Sequence, residues 1–169
     1  MSNREMIKKQ LLSNVVAPLL EAGFTGQFPH YRRNFQDCVE LVTFQWNKYG
    51  GAFTVEVSAV FPNHKDTNFA AESMDINRVT VWETNRRYRL KGMYDRWFYH
   101  QDLYAKRILG FGKDYLPVGD KDSVPKGYKL VQKFNEDTAK KICDTVNRQL
   151  KDAFRWLEKF EKRQGLSDI

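Results

Sequence analysis

The chain has 169 residues and a mass of 20.0 kDa, enough for one domain with its own hydrophobic core and too little for two of ordinary size. An apolar fraction of 41% argues against intrinsic disorder. The longest apolar run, residues 15–20, is far below the roughly 20 residues of a membrane-spanning helix. The net charge of +7 argues against a protein that mimics a polyanion and favours an acidic partner.

The first part of the chain predicts one helix followed by paired strands. Apolar residues recur every three or four positions over residues 4–22, which predicts a helix with one buried face and a bend at Pro18. A glycine-containing connection at residues 47–51 predicts an antiparallel hairpin. Alternating segments rich in Val, Phe and Thr predict three strands: His30–Phe35, Cys38–Trp46 and residues 52–61.

The middle of the chain predicts two further strands separated by loops. Residues 62–77 show no clear period, which favours a long connection or one short helical turn. Residues 79–82 and 87–91 predict strands. In the second of these strands, alternation places Tyr88 and Leu90 on one side and the basic residues on the other: Arg87, Arg89 and Lys91.

The last part of the chain predicts a loop and a long helix. The glycines and prolines of residues 110–127 indicate a loop with a short extended piece at residues 115–116. Asn135 is a predicted N-cap, and the helix is expected to run to about Arg163. Its apolar stripe consists of Ala139, Ile142, Cys143, Val146, Leu150, Ala153, Phe154, Leu157 and Phe160.

These elements together predict an α+β fold over a single domain, residues 1–169. Each helix and each strand has one apolar face to bury, so the economical solution is two layers. The layers are an antiparallel sheet and, packed on it, the N-terminal and the long C-terminal helix. No secretory signal pattern is present, and Cys38 and Cys143 lie far apart without a pairing pattern, so we expect a cytoplasmic protein without a membrane partner.

The positive charge is concentrated in residues 86–107. This window contains seven Lys and Arg residues and only two acidic residues, Asp95 and Asp102, so its net charge is +5. Arginines can contact acidic groups or phosphates while aromatic rings stack beside them, so the window predicts a binding surface for an acidic protein or a nucleic acid. Its candidate residues are Arg86, Arg87, Arg89, Lys91, Arg96, Trp97 and Tyr99.

The same pattern has a structural interpretation that stays open at this point. An antiparallel strand with one wet face alternates inward aromatic rings with outward arginines, and the arginine stems cover apolar surface. The two interpretations differ in whether the guanidinium groups gather on one accessible surface. Pairing of each arginine with a neighbouring acid would favour the structural one.

The residues that could support catalysis form no recognised motif. His30, His64 and His100 lack the spacing of metal ligands. Both cysteines lie on apolar stretches, where a thiol behaves as a buried hydrophobic group. Residues 110–113 lack the glycine spacing and the Ser or Thr of a phosphate-binding loop. We therefore predict no catalytic residue, no metal site and no cofactor.

A metal-dependent nuclease or hydrolase is one alternative, because the protein is basic and carries acidic residues near paired strands. Asp37, Glu40 and Glu56 are its candidates. Position 58 holds a serine where such nucleases commonly have a lysine. Strand alternation predicts instead that Glu40 and Glu56 point to solvent.

Several short motifs occur in an order that resembles the bacterial domain of unknown function 4304 family. They span the chain from about residue 6 to residue 160, whereas the loops at 62–77 and 99–128 show no specific likeness. The resemblance implies bacterial origin and one α+β domain, and it assigns no catalytic residue. The motifs are Glu21-Ala22-Gly23-Phe24, Tyr31-Arg32-Arg33, the strand from Val39 to Trp46, Tyr49-Gly50-Gly51, Phe53-Thr54-Val55-Glu56-Val57, Arg87-Tyr88-Arg89-Leu90, Asp95-Arg96-Trp97-Phe98 and Phe154-Arg155-Trp156-Leu157-Glu158-Lys159-Phe160.

The sequence therefore favours a binding module that has no catalysis of its own. A second alternative, besides the hydrolase, is an immunity or antitoxin protein that neutralises a toxin, by analogy of size and fold class alone. The basic charge counts against one form of that role, since an inhibitor of a nucleic-acid-cutting toxin is expected to be acidic. The oligomeric state stays open.

Overall fold

The structure of the protein, a computed structural model, describes residues 1–35, 38–61, 75–92, 96–101, 104–113, 115–118, 124–131 and 134–163. The helices are α1 (Asn3–Leu11), α2 (Ala17–Glu21) and α3 (Glu136–Arg163). The strands are β1 (Thr25–Gln27), β2 (His30–Phe35), β3 (Cys38–Trp46), β4 (Ala52–Val60), β5 (Tyr88–Arg89), β6 (Phe98–Tyr99), β7 (Tyr104–Arg107), β8 (Tyr115–Pro117) and β9 (Tyr128–Val131).

The main sheet confirms the predicted α+β class and the predicted hairpin. Its path runs β1-β2-β3-β4-β5, and β6 pairs with β4 beside β5. All of these pairs are antiparallel. The long β3–β4 pairing runs from Val39–Val60 to Trp46–Phe53, so β4 lies in the interior of the sheet and touches three strands.

Alternation along β3 and β4 gives the sheet two different faces. Val42 and Val55 belong to the main hydrophobic core together with residues of α1 and α3, and we call this side the helix face. The opposite side, away from α1 and α3, is the distal face. Its buried polar side chains are Thr43, Thr54, Glu56 and Ser58. Beside them lies a smaller apolar cluster of Val39, Leu41, Val60, Val79 and Val81.

The N-terminal helix is interrupted just before Pro18, the residue at which the sequence predicted a bend. A π-helical turn, Leu12–Val16, joins α1 to α2. Pro18 has no backbone N–H, so the carbonyl group of Asn14 loses its ordinary helical donor. The side-chain amide of Asn147 on α3 donates to that carbonyl oxygen at 2.7 Å. The interruption therefore also fastens the N-terminal segment to α3.

Helix α3 begins and buries its stripe as predicted. The Asn135 side chain accepts from the backbone N–H of Thr138 at 2.9 Å, which is an N-cap contact. Most of the predicted stripe is buried, and Phe154 is partly buried against the core. The side chain of Phe160, the last predicted member, lies outside what the structure describes. The buried members are Ala139, Ile142, Cys143, Val146, Leu150, Ala153 and Leu157.

Two regions differ from the sequence prediction. Residues 79–82 are not a strand, because the Thr80 side chain caps a 3-10 turn, Val81–Glu83, and accepts from the backbone N–H of Trp82 at 3.2 Å. The predicted extended piece at 115–116 is present as β8, but it belongs to a second antiparallel sheet in the order β8-β7-β9 that the sequence did not indicate. Most of the predicted 62–77 connection lies outside the described residues.

No helix in the described ranges combines the length and the apolar character needed to cross a membrane.

Candidate functional site

A row of polar side chains crosses the distal face, with one residue from each of four strands. The strand register places them directly opposite one another. At one end of the row, the His30 Nδ1 and Thr43 Oγ1 atoms are 3.0 Å apart. The row runs His30, Thr43, Glu56 and Arg89.

Glu56 is the buried centre of this row. Its side chain is 7% exposed, and its two carboxylate oxygens face two arginines: Oε2 lies 3.7 Å from Nη1 of Arg87, and Oε1 lies 3.8 Å from Nε of Arg89. The prediction that Glu56 points to solvent was wrong. The following strand, β5, lies alongside β4 and brings Arg89 over the carboxylate, and Arg87, the residue just before β5, reaches it as well.

Arg89 is held on two further sides. Its Nε donates to Thr54 Oγ1 at 3.1 Å, and its guanidinium carbon lies 4.8 Å from the centre of the Trp97 ring. Such a contact between a cation and an aromatic face fixes the guanidinium plane. The Arg89 side chain remains 28% exposed, so its position is fixed while part of it reaches the surface.

Arg87 is fixed by the backbone of the preceding turn. Its Nε donates to the carbonyl oxygen of Thr84 at 3.0 Å, and its Nη2 donates to that of Trp82 at 2.7 Å. The side chain is 37% exposed. We call Glu56, Arg87, Arg89 and Trp97 together the Glu56 cluster.

The hydrogen bonding of the Glu56 cluster is incomplete. Glu56 Oε2 and Arg89 Nη2 are both buried and have no hydrogen-bond partner among the residues that the structure describes. The separations of 3.7 and 3.8 Å between carboxylate and guanidinium atoms permit attraction but exceed hydrogen-bond length. Buried polar atoms without partners are uncommon in folded proteins. The cluster therefore retains unused capacity for a donor and an acceptor.

The other predicted binding residues lie outside the Glu56 cluster, at different positions. Arg86 is exposed, and its carbonyl oxygen accepts from Ser58 Oγ at 2.6 Å. Arg96 is exposed with a positive φ of 62°, and Tyr99 is half-buried on β6. Lys91 was predicted on the same side as Arg87 and Arg89. It lies instead beside α3, because β5 ends at Arg89 and strand alternation stops there.

The carboxylates predicted for a nuclease do not converge. Glu40 lies on the helix face, where Arg33 Nε donates to its Oε2 at 2.7 Å, whereas Glu56 lies on the distal face. Glu40 is only 2% exposed, so its predicted solvent position was also wrong. Asp37 lies outside the described residues. Within the described ranges, no group of three His, Cys, Asp or Glu side chains could hold a metal ion.

The two described histidines sit among aromatic rings. His30 makes an edge contact with Trp82 at 4.8 Å between ring centres, and His100 makes one with Trp46 at 5.5 Å. Burial lowers the pKa of both imidazoles, which favours the neutral form. His64, the other histidine considered as a ligand, lies outside the described residues.

We predict that Cys143 does not react with thiol reagents in the folded protein. Burial raises the pKa of its thiol to about 12, so at pH 8 only about one molecule in ten thousand carries the reactive thiolate. Cys38 is buried too, and its Sγ donates to the carbonyl oxygen of Phe35. Ellman's reagent at pH 8 should label neither cysteine until denaturant is added. Rapid labelling of Cys143 without denaturant would contradict the burial.

Comparison with known proteins identifies a family and no individual relative. A family model with the description "Domain of unknown function (DUF4304)" matches residues 15–159, which is most of the chain. This match confirms the resemblance drawn from the sequence motifs. A search of curated proteins and a search of solved structures gave no significant match.

Proposed function

Because the chain belongs to the DUF4304 family, whose description assigns no activity, we propose from the geometry that it is a binding module and recognises an acidic segment of another protein. The proposed contact surface is the Glu56 cluster with its neighbours on the distal face. Arg87 and Arg89 would receive the acidic side chains. Trp97 and Tyr99 would supply the flanking aromatic area.

The observation that carries this proposal is the way Arg89 is held. The Glu56 carboxylate lies next to its guanidinium group, Thr54 accepts from its Nε, and the Trp97 ring covers one side of the guanidinium. The side chain nevertheless stays 28% exposed. An arginine fixed in this way loses little conformational freedom when a carboxylate binds. Arginine and tryptophan are also the residue types most enriched among strong contributors to protein–protein binding.

The charge of the cluster favours an acidic protein over a nucleic acid. Arg87 and Arg89 share the single carboxylate of Glu56, so the three side chains together contribute about one positive charge. Binding to a nucleic acid depends on neutralising several phosphates at once, and single strands also need open ring faces for stacking. One face of Trp97 is already covered by Arg89.

A glutamate-rich peptide is a direct probe of this proposal. We expect Arg89→Gln to weaken its binding at least tenfold, because the fixed guanidinium is lost. The matched control is Arg155→Gln, which removes the same charge from a side chain on α3 that is 71% exposed. We expect the control to change binding less than twofold. Peptide affinity is measured by fluorescence anisotropy, with each variant checked for folding by circular dichroism.

Two outcomes would overturn the proposal. Equal effects of Arg89→Gln and Arg155→Gln would mean that only net charge attracts the peptide. Tighter binding of an oligothymidylate than of the peptide, with the same dependence on Arg89, would assign the distal face to single-stranded nucleic acid instead.

A further inference from the structure

A second site lies on the other side of the sheet, between α3 and the end of β5. It is a cavity of about 340 Å³, within the size range of small-molecule binding pockets. It belongs to the helix face and shares no residue with the Glu56 cluster. Six of the residues that line it are Lys91, Phe98, Thr138, Lys141, Ile142 and Thr145.

The inner wall of the cavity is apolar. Phe98 and Ile142 are 2% and 5% exposed and form its buried part. The two threonines present no free hydroxyl proton, because Thr138 Oγ1 donates to Asn135 Oδ1 and Thr145 Oγ1 donates to the carbonyl oxygen of Lys141, both at 2.9 Å. A ligand inside would therefore meet hydrocarbon and aromatic surface.

The mouth of the cavity carries positive charge. Lys91 and Lys141 are both exposed at its edge. Asp137 and Asp144 occupy the neighbouring turns of α3, but within the described ranges no ion pair joins either acid to Lys141. The ammonium groups are the donors available to a ligand head group.

The rim is held in place by contacts between the strand end and α3. The Gln149 side chain accepts from the backbone N–H of Lys91 at 2.6 Å and donates to its carbonyl oxygen at 2.7 Å. Gly92 packs so closely that an added Cβ would lie 2.1 Å from the carbonyl oxygen of Trp97. A cavity with a fixed rim costs little reorganisation when it binds a ligand.

From the apolar wall, the two lysines and the fixed rim, we propose that this cavity binds a small amphiphilic anion. The ligand class is a carboxylate with an apolar chain or ring of medium length. Its apolar part would contact Phe98 and Ile142, and its carboxylate would lie between Lys91 and Lys141. This site shares no residue with the proposed protein-binding surface.

Decanoate, kept below its micelle concentration, is the probe for this site. We expect saturable binding by isothermal titration calorimetry, with shifts of the backbone NMR signals of Thr138 and Thr145. Decanol should bind at least fivefold more weakly, because it lacks the charge. Lys141→Gln should weaken decanoate binding about fivefold. Lys140→Gln, an exposed neighbour that does not line the cavity, should leave it unchanged.

A variant that fills the cavity tests the location separately. Thr145→Phe places a ring at a half-buried position of the lining and should weaken decanoate binding at least tenfold. The proposal would be overturned by an absence of saturable binding to the unaltered protein. It would also be overturned if decanol bound as tightly as decanoate, or if the Lys140 and Lys141 variants behaved alike.

Discussion

Replacing Arg33 with methionine is expected to lower the free energy of unfolding by about 3 kcal/mol, the loss typical of a buried ion pair that keeps only one partner. Arg33 Nη2 lies 2.6 Å from Glu40 Oε2, and the Glu40 side chain is 3% exposed. Methionine keeps an apolar side chain at this position but leaves the carboxylate buried without a cation. Urea denaturation followed by circular dichroism measures the loss.

The other contacts of Arg33 explain why replacing one residue is expected to cost so much stability. Its Nη1 donates to the carbonyl oxygen of Ala22 at 2.8 Å, at the end of α2. Its guanidinium carbon lies 4.7 Å from the ring centre of Phe24 and 5.8 Å from that of Phe154 on α3. Arg33 therefore links β2 to both helical segments, and its loss affects three elements.

A double variant separates the ion pair from the packing. Arg33→Met with Glu40→Leu should recover most of the lost stability, because removing both partners leaves no buried charge. Arg155→Met is the exposed control. It breaks a contact of 3.1 Å to Asp152 on the surface of α3, and we expect a change below about 0.5 kcal/mol. A loss in the Arg33 variant no larger than in this control would show that the pair contributes nothing specific.

Long periodic segments could be predicted from the sequence because burial of one face decides both their structure and their pattern. The three-to-four-residue spacing of α3 and the alternation of β3 and β4 are of this kind. The short strands were predicted less completely. The strand predicted at residues 87–91 is present as β5, but it has only two residues, Tyr88–Arg89. β6 was not predicted, because a strand of two residues leaves no period in the sequence and its pairing depends on β4.

The solvent positions predicted for Glu40 and Glu56 failed for a related reason. Alternation assigns side chains to two faces of a sheet, and it does not say whether the second face is covered. Here Arg33, which also donates to the carbonyl oxygen of Ala22 at the end of α2, covers Glu40, and Arg87 and Arg89 cover Glu56. The sequence did contain a signal for the burial of Glu56. Arg87 and Arg89 are spaced to lie on one face of a strand, and opposite charges favour facing positions on neighbouring strands.

Part of the candidate site was accessible from the sequence. Arg87, Arg89 and Trp97 were predicted as neighbours, and the structure brings them together around one carboxylate. The role of Glu56 in holding them was missed, because the sequence predicted it at solvent. The cavity beside α3 left no pattern at all, since its lining combines separate positions of α3 with the ends of two strands.

Phe98→Ala is the second substitution with a large expected effect, about 3–5 kcal/mol of unfolding free energy, because it empties a fully buried aromatic position. Phe98 is 2% exposed, and its ring stacks on Phe53 at 5.2 Å between centres. Strand β6 pairs with β4 through only two residues, so we expect its attachment to depend strongly on this ring. Urea denaturation measures the loss, with Phe111→Ala, a fully exposed phenylalanine, as the control expected to change stability by less than about 0.5 kcal/mol.

Replacing Phe98 is expected to affect ligand binding at both proposed sites as well as stability. Trp97 and Tyr99 flank Phe98, so loosening β6 should release the ring that fixes Arg89 and weaken binding of the glutamate-rich peptide. Phe98→Leu keeps an apolar side chain and should remain folded, so we expect it to weaken peptide binding less than Phe98→Ala does. It should also alter decanoate binding, because Phe98 lines the cavity. Unchanged peptide binding in a folded Phe98→Ala variant would show that the proposed binding surface does not depend on the contact between Arg89 and Trp97.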